Sequence, residues 1–385
     1  MKEALVIGGS NGIGLAITLE LQKQGCRVHV VDKTQNDLFE GSESIHFKQV
    51  NLLSTDFSFL ADYDSIDTLV ITAGFGRIAP FEDIWGQEIQ NNFQVNSIAV
   101  IKVLRHFFPR MKQQSPFSCA VMGSIAGLIS SPLFATYGAT KAAVCNAIES
   151  LNIELEMADT ENRILNVSPG SIKGTKFNGG INDLSQTEAL AQAIIEKMKE
   201  RQTLYIPQYE EVYKGVLQRY HDDPRRFGLD SYQYKLSSGR TSSKPQLKIG
   251  YLSGTFDLFH IGHLNLLRRA KEHCDYLVVG VHKDASHKGK STFISFEERC
   301  EIVRSIKYVD KVIPSEREDC DVYLKGIVKF DYLFVGSDYK GTERFNRYEQ
   351  IFADKGVEIV YFPYTQGTSS SQLREALTAI REQKG

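Results

Sequence analysis

The chain has 385 residues, 42% of them apolar and 24% charged, with a net charge of −2 and a pI near 6.5. At ~150 residues per domain this is enough for two or three packed domains, and it excludes a disordered chain. It equally excludes a polybasic field for nucleic acid or an anionic membrane surface. No apolar run approaches the ~18 residues of a membrane span. Met1-Lys2-Glu3 leads straight into the strand-like Ala4-Leu5-Val6-Ile7, so no signal peptide is expected. The cysteines (26, 119, 145, 274, 300 and 320) include no Cys-x-x-Cys pair, so free thiols and a cytoplasmic location are expected.

In chain order, Leu5–Ile7 reads as a first strand and Gly8-Gly9-Ser10-Asn11-Gly12-Ile13-Gly14 as the turn into a helix. Glycines there let backbone N–H groups approach a pyrophosphate at a helix N-terminus, although such turns also need glycine for packing alone. Asp32, which ends the Val28–Val31 strand, can accept both hydroxyls of an adenosine ribose and would repel a 2′-phosphate, so NAD(H) is favoured over NADP(H). An Asp that merely starts a turn is the plainer alternative. Thr68–Thr72, Ser118–Met122, Ile164–Val167 and Leu204–Ile206 continue the strands, with helical stretches between them. The alternation predicts α/β architecture, a parallel sheet with helices on both faces. Tyr137 and Lys141, spaced i and i+4, share a helix face, and a nearby ammonium lowers a phenol's pKa. Ser124 follows an apolar strand, where its hydroxyl can bind a substrate oxygen.

These residues resemble the short-chain dehydrogenase/reductase family over about residues 3–207. The resemblance rests on the glycine turn, Asp32, Thr72-Ala73-Gly74, Asn96, Ser124, Tyr137, Lys141 and Ser168-Pro169-Gly170. It implies that Tyr137 is the general acid/base and that Lys141 lowers its pKa and holds the nicotinamide ribose. It further implies that Ser124 orients the carbonyl and that Asn96 positions a relay water. Gly8, Ser10, Asn11, Gly12, Ile13, Gly14, Asp32, Ala73 and Gly74 would hold the cofactor, and Asn51 would take the adenine contact that the family usually gives to Asp. Thr72 replaces the family's sheet-bracing Asn. Lys173 and Lys176 begin a short substrate loop, suited to a phosphorylated or bulky polar substrate.

From Tyr209 onward the chain turns polar, and Ser237–Pro245 reads as a flexible linker, with Glu210–Tyr220 a helix that could dock on one domain. The expected domains are residues 1–207 and 247–385, separated by a docking segment and linker over 208–246. The second half repeats the strand pattern at Lys248–Leu252, Tyr276–Val281, Lys311–Ile313, Tyr332–Val335 and Glu358–Phe362. Its first turn, Gly254-Thr255-Phe256-Asp257-Leu258-Phe259-His260-Ile261-Gly262-His263, puts two imidazoles at a helix start, a cationic and donor-rich pocket for phosphate. As zinc ligands the pair would need partners that the sequence does not place nearby.

This half resembles the cytidylyltransferases over nearly all of 248–378, most closely those acting on glycerol 3-phosphate. Besides the His-x-Gly-His motif it matches at Lys290, Phe296–Arg299, Tyr308-Val309-Asp310, Gly336–Tyr339 and Gly367–Ser371. The resemblance implies that His260 and His263 stabilise a pentacovalent α-phosphate of CTP and that Lys290 holds the incoming phosphate. Thr255, Phe256, Asp338, Thr368, Ser369 and Ser370 would bind the nucleotide, with Mg²⁺ on the triphosphate and no metal site in the protein itself. Tyr364 and Lys307 stand where the family commonly has Arg, and Arg344 or Arg374 are candidates to compensate.

Together the resemblances imply two Rossmann-like doubly wound domains and a bifunctional enzyme. It would reduce a ketose (phosphate) and transfer CMP from CTP to a polyol phosphate, feeding capsule or cell-wall polymers, as a homodimer or homotetramer with small-molecule partners only. Two alternatives stay open: a transferase whose first half is a non-catalytic NAD-binding or oligomerisation module, and an adenylyltransferase using ATP.

Overall fold

The computed structural model describes residues 1–175, 177, 182–239, 241, 248–283, 292–315, 318–363 and 372–373. The chain divides into two compact units, Met1–Lys244 and Pro245–Gly385, each built on one parallel sheet.

The first unit's strands are β1 (Glu3–Ile7), β2 (Arg27–Asp32), β3 (Ile45–Gln49), β4 (Thr68–Ile71), β5 (Ser118–Met122), β6 (Ile164–Val167) and β7 (Leu204–Tyr205), in the order β3-β2-β1-β4-β5-β6-β7. The central strands are near-continuous apolar runs because helices cover both faces, and all four residues of β4 are buried. Successive residues of β1 point to opposite faces. Helices α1 (Gly12–Lys23) and α2 (Gly86–Phe93) come first in the chain, and Leu5 and Ile7 enter a core with Phe107 of α3 (Val100–Met111) and Ile148 of α4 (Ala135–Met157). Ala4 and Val6 enter the opposite core with Ile17 of α1 and Ile194 of α5 (Glu188–Lys199).

β3 is absent from the sequence expectation. Its residues, Ile-His-Phe-Lys-Gln, mix polar and apolar side chains because it is an edge strand with only Ile45 fully buried. Beyond β7 a π-turn (Tyr209–Tyr213) leads into α6 (Lys214–Asp222) and α7 (Pro224–Ser237). The second of these helices was also not anticipated. Asp223 caps it by accepting from Arg226 N at 2.9 Å and Pro224 stands in its first turn, a start signal inside a polar stretch.

The second unit has β8 (Ile249–Gly254), β9 (Tyr276–His282), β10 (Lys311–Ser315), β11 (Tyr332–Gly336) and β12 (Glu358–Phe362), in the order β10-β9-β8-β11-β12. Its helices are α8 (Ile261–His273), α9 (Phe296–Arg304), α10 (Asp319–Leu324) and α11 (Glu343–Phe352). Leu252 and Val279 pack with Leu267 and Val303 on one face, Tyr251 and Val278 with Tyr348 and Phe352 on the other. In both sheets the order reverses beside the first strand of the unit, β1 or β8. The crevice at such a switch point is where open α/β sheets bind ligands. Both glycine-bearing turns of the sequence leave the sheet there. Among the described residues no helix is long and apolar enough to cross a membrane, and all six cysteines are free.

Candidate active sites

In the first unit the glycine turn is a tight cradle. Gly8 has φ +87°, and a Cβ on Gly8 or Gly14 would overlap Ala73 N or Gly8 O respectively. The Thr72 hydroxyl donates to Gly8 O at 2.9 Å, so it braces the turn where the family amide is missing. Asp32 accepts from Ser10 N at 3.0 Å and from Lys33 N at 2.7 Å, which fixes its carboxylate beside the turn. Ser10 is fully buried and its Oγ has no partner, a cost that a bound polar group would remove. The cradle, the orphaned hydroxyl and the carboxylate together fit an adenosine dinucleotide. Asn11 and Gly12 are tied to Asn182, whose Oδ1 accepts from Gly12 N at 3.0 Å and whose Nδ2 donates to Asn11 Oδ1 at 3.1 Å. Ile13 packs at the margin of the core. Asn51 is exposed, with its Oδ1 accepting from Leu53 N at 3.0 Å within its own turn.

Ser124, Tyr137 and Lys141 are brought together and are all buried. Ser124 hydrogen-bonds Tyr137, and Lys141 Nζ lies 5.7 Å from the Tyr137 ring centroid while donating to Met122 O at 2.7 Å. The expected lowering of the Tyr137 pKa by Lys141 is not what the structure gives. Burial pushes the phenol up to about 12 against the opposing Ser124 bond, and the same burial pushes Lys141 down to about 8. The i,i+4 spacing carries the proximity but not the desolvation, which is the larger effect here. Asn96 lies in a π-turn (Gln94–Ala99) before α3. Its Oδ1 accepts from Phe75 N at 3.0 Å and its Nδ2 donates to Phe75 O at 2.8 Å, so its side chain clamps the strand-end loop directly after Gly74. Lys173 is exposed, and Lys176 lies outside the described residues.

Two contacts from beyond β7 were missed by reasoning from motifs. The Tyr213 side chain lies on Gly170, where a Cβ would overlap its hydroxyl. Lys235 donates to Ser131 Oγ at 2.6 Å and Pro132 O at 2.8 Å, next to Phe134, which stacks on Tyr137 at 4.2 Å. Ser124 Oγ reaches Pro169 O at 3.5 Å, so the segment after β7 rests on both loops that support the Ser124–Tyr137 pair. Gly170→Ala is expected to destabilise this unit by about 1–3 kcal/mol through overpacking. A lowered thermal midpoint, largely recovered in Gly170→Ala/Tyr213→Ala, is the readout; an unchanged midpoint in the single variant contradicts the contact.

In the second unit, His260 and His263 form a reciprocal cap at the start of α8. His260 Nδ1 accepts from Gly262 N at 3.1 Å and His263 Nδ1 from His260 N at 3.4 Å, with ring centroids 4.0 Å apart. A ring nitrogen that accepts leaves the proton of the neutral imidazole on Nε2, so both rings present Nε2–H donors. Burial lowers the His260 pKa, so the expected cationic pair is corrected to one whose His260 favours the neutral form. Phe256 and Leu258 hold positive φ angles of 53° and 50°, strain of the kind concentrated at functional turns. Thr255 Oγ1 is buried and unpartnered, which fits a phosphate oxygen.

Asp257 and Arg299, neither singled out as a site residue beforehand, hold the surroundings. Asp257 accepts from Phe293 N at 3.1 Å and Ile294 N at 3.0 Å. The fully buried Arg299 donates to the carbonyls of Thr255, His282, Lys283 and Ile294. Arg299 thereby ties down both ends of the segment that contains Lys290, and Asp257 its C-terminal end. A further buried acid, Asp319, is bonded to Ser253 and pushed up to about 6 by burial. Asp338 is exposed in the turn after β11, its Oδ1 beside Gly336. Arg344 stacks on Tyr339 at 5.4 Å and faces Asp319 electrostatically, while Lys307 lies over Tyr308 at 5.2 Å. Lys290, Tyr364, Thr368, Ser369, Ser370 and Arg374 lie outside the described residues.

The family model for short chain dehydrogenases matches residues 2–186, and that for cytidylyltransferase-like proteins matches residues 251–376. The glycerol-3-phosphate cytidylyltransferase of Bacillus subtilis (strain 168) is 37% identical over 132 residues, covering 33% of this chain and 95% of the relative. That of Staphylococcus aureus (strain NCTC 8325 / PS 47) is 36% identical over 132 residues, covering 32% and 90%. An uncharacterized oxidoreductase of Staphylococcus epidermidis (strain ATCC 12228 / FDA PCI 1200) is 27% identical over 210 residues, covering 50% and 89%. The crystal structure of a short-chain dehydrogenase from Streptomyces avermitilis superposes with a TM-score of 0.50 at 22% identity, covering 62% of this chain and 99% of that one, a likeness of fold. The chain therefore belongs to the cytidylyltransferase-like family through residues 251–376, and it is an enzyme that joins to that domain a short-chain dehydrogenase/reductase domain over residues 2–186.

Proposed function

We propose that the chain makes a CDP-polyol, by reducing a ketose phosphate to a polyol phosphate with NADH and transferring CMP to that product from CTP. The observation that carries this reading is the buried Ser124–Tyr137 pair beside Lys141 in a chain whose other domain is a cytidylyltransferase. A domain kept only for oligomerisation would have no need to bury an ammonium and a bonded phenol together.

In the first site the glycine cradle would hold the pyrophosphate of the dinucleotide and Asp32 its adenosine ribose. A dinucleotide held there would supply the hydride that the carbonyl carbon takes up. Tyr137 gives its proton to the carbonyl oxygen, Ser124 orients that oxygen, and Lys141 replenishes charge beside the phenolate that forms. A phenol whose pKa is pushed up by burial keeps its proton across the neutral range, the form from which it can act as the acid in the reduction. In the second site a phosphate oxygen of the polyol phosphate attacks the α-phosphorus of CTP and pyrophosphate leaves. The protein's part is positioning and charge stabilisation, with the two Nε2–H donors of His260 and His263 on the α-phosphate oxygens. Mg²⁺ would arrive on the triphosphate, whose oxygens supply ligands of the right kind. The reversed order, reduction of a CDP-ketose, uses the same two sites. A cytoplasmic homodimer or homotetramer serving polymer synthesis is the setting that suits these products.

The Asp32 carboxylate supports NADH over NADPH. Replacing it, as Asp32→Ala, should reduce the ratio of kcat/KM for NADH over NADPH by at least about tenfold, through loss of hydroxyl acceptors and of repulsion against a 2′-phosphate. Initial rates with both cofactors test it, and an unchanged ratio counts against the assignment.

A further inference from the structure

Beside Tyr137 lies a recess lined by Arg77, Phe81, Glu88, Asn92 and Phe134 together with Tyr137 itself. The Arg77 guanidinium is fixed there by three bonds. Nε and Nη2 donate to the two oxygens of Glu88 at 2.8 and 3.0 Å, and Nη2 donates to Asp83 O at 2.5 Å. The third nitrogen, Nη1, is buried and has no partner in the protein. A guanidinium cannot shed its charge, and a buried donor left unpaired costs about 1–3 kcal/mol, so such a group calls for an acceptor from outside the chain, a water or the hydroxyl that displaces it.

The pair's chemistry indicates what that acceptor is. Glu88 already neutralises Arg77, so the site offers little net charge to a second anion. A carboxylate has about four lone-pair sites, and those that Arg77 leaves free can accept from hydroxyls while Nη1 donates to them. One planar unit that donates on one side and accepts on the other matches adjacent hydroxyl groups. The Phe81 and Phe134 rings supply apolar faces for the carbon–hydrogen surface between those hydroxyls. Asn92 Nδ2 donates to Glu88 O at 2.9 Å, which anchors the helix turn that carries the carboxylate.

We infer that Arg77 and Glu88 are the specificity-determining pair of the reductase domain, holding adjacent hydroxyls of a polyhydroxylated carbon chain whose carbonyl lies at Tyr137. This rests on the ketose reading above. It sharpens that reading by requiring several chain hydroxyls and by leaving the substrate's phosphate to other groups.

The test compares wild type, Arg77→Lys, Arg77→Met and Glu88→Gln in the full chain, with D-ribulose 5-phosphate and dihydroxyacetone phosphate as probes and NADH affinity measured in parallel. Arg77→Met should raise KM for the pentulose phosphate about 10- to 100-fold, the worth of a lost charged hydrogen bond, with kcat changed far less. NADH affinity should stay unchanged, dihydroxyacetone phosphate should respond little, and Arg77→Lys should recover part of the loss. Equal effects on both probes, or loss of NADH binding together with kcat, would make the pair structural and overturn the inference. If wild type reduces neither probe, the ketose reading fails, and binding of D-ribulose 5-phosphate to the NADH-loaded chain decides the pocket separately. Binding that disappears in Arg77→Met upholds the pocket without the reaction, and binding that is absent or equal in both chains overturns it.

Discussion

Tyr137→Phe should abolish NADH-dependent reduction by a factor of about 10²–10⁴, the usual worth of a positioned general acid, while CTP-dependent pyrophosphate release continues unchanged. The substitution removes one hydroxyl and keeps the ring that stacks on Phe134 at 4.2 Å, so the fold and NADH binding should survive. The assay follows NADH oxidation with ketose phosphates alongside pyrophosphate release from CTP and a polyol phosphate. A reductase rate within a few-fold of wild type would mean that another group donates the proton, and that the raised pKa of Tyr137 reflects burial alone. The two domains provide complementary readouts, because loss of both activities would point to misfolding rather than chemistry.

The second large effect lies in the His260–His263 cap. His260→Asn keeps an oxygen where Nδ1 accepts from Gly262 N, and Asn is among the best helix caps, so α8 should keep its stability. It removes the Nε2–H donor, and cytidylyl transfer should fall about 10²–10³-fold, as for other lost donors to a developing oxyanion. His260→Gln carries its amide farther out, in the place of Nε2, and should recover more activity while losing part of the cap. Pyrophosphate release and the thermal midpoint of each variant separate the two roles. Retained transfer in His260→Asn would assign the imidazole to capping alone.

The parts of the molecule legible in the sequence are those whose information is local. Central strands such as β4 and β9 are buried on both faces and announce themselves as apolar runs. The glycine turn, Ser124, Tyr137–Lys141 and the His-x-Gly-His segment are short patterns whose spacing follows from one turn or one helix face. β3 escaped because an edge strand with solvent on part of its surface need not be apolar. Arg77 meets Glu88, and Tyr213 meets Gly170, only because folding brings a loop against a helical turn, and no periodicity encodes either meeting. Asp319 reads in sequence as one more surface acid, yet it is almost fully buried. The pKa of Tyr137 shows the same limit: its neighbour was legible, and the depth of its burial was not.

The central claim is that one chain reduces a ketose and activates the product as a CDP-polyol. The most direct measurement incubates the full chain with CTP, NADH and, in turn, D-ribulose 5-phosphate, dihydroxyacetone phosphate and D-fructose 6-phosphate, and follows NADH, pyrophosphate and the nucleotide products by mass spectrometry. The account predicts that one of these yields a CDP-polyol, with equal amounts of NADH consumed and pyrophosphate released, and none when either NADH or CTP is withheld. NADH consumption that never leads to pyrophosphate release, or a CDP-product formed with no reduction of any ketose phosphate or CDP-ketose, would contradict it.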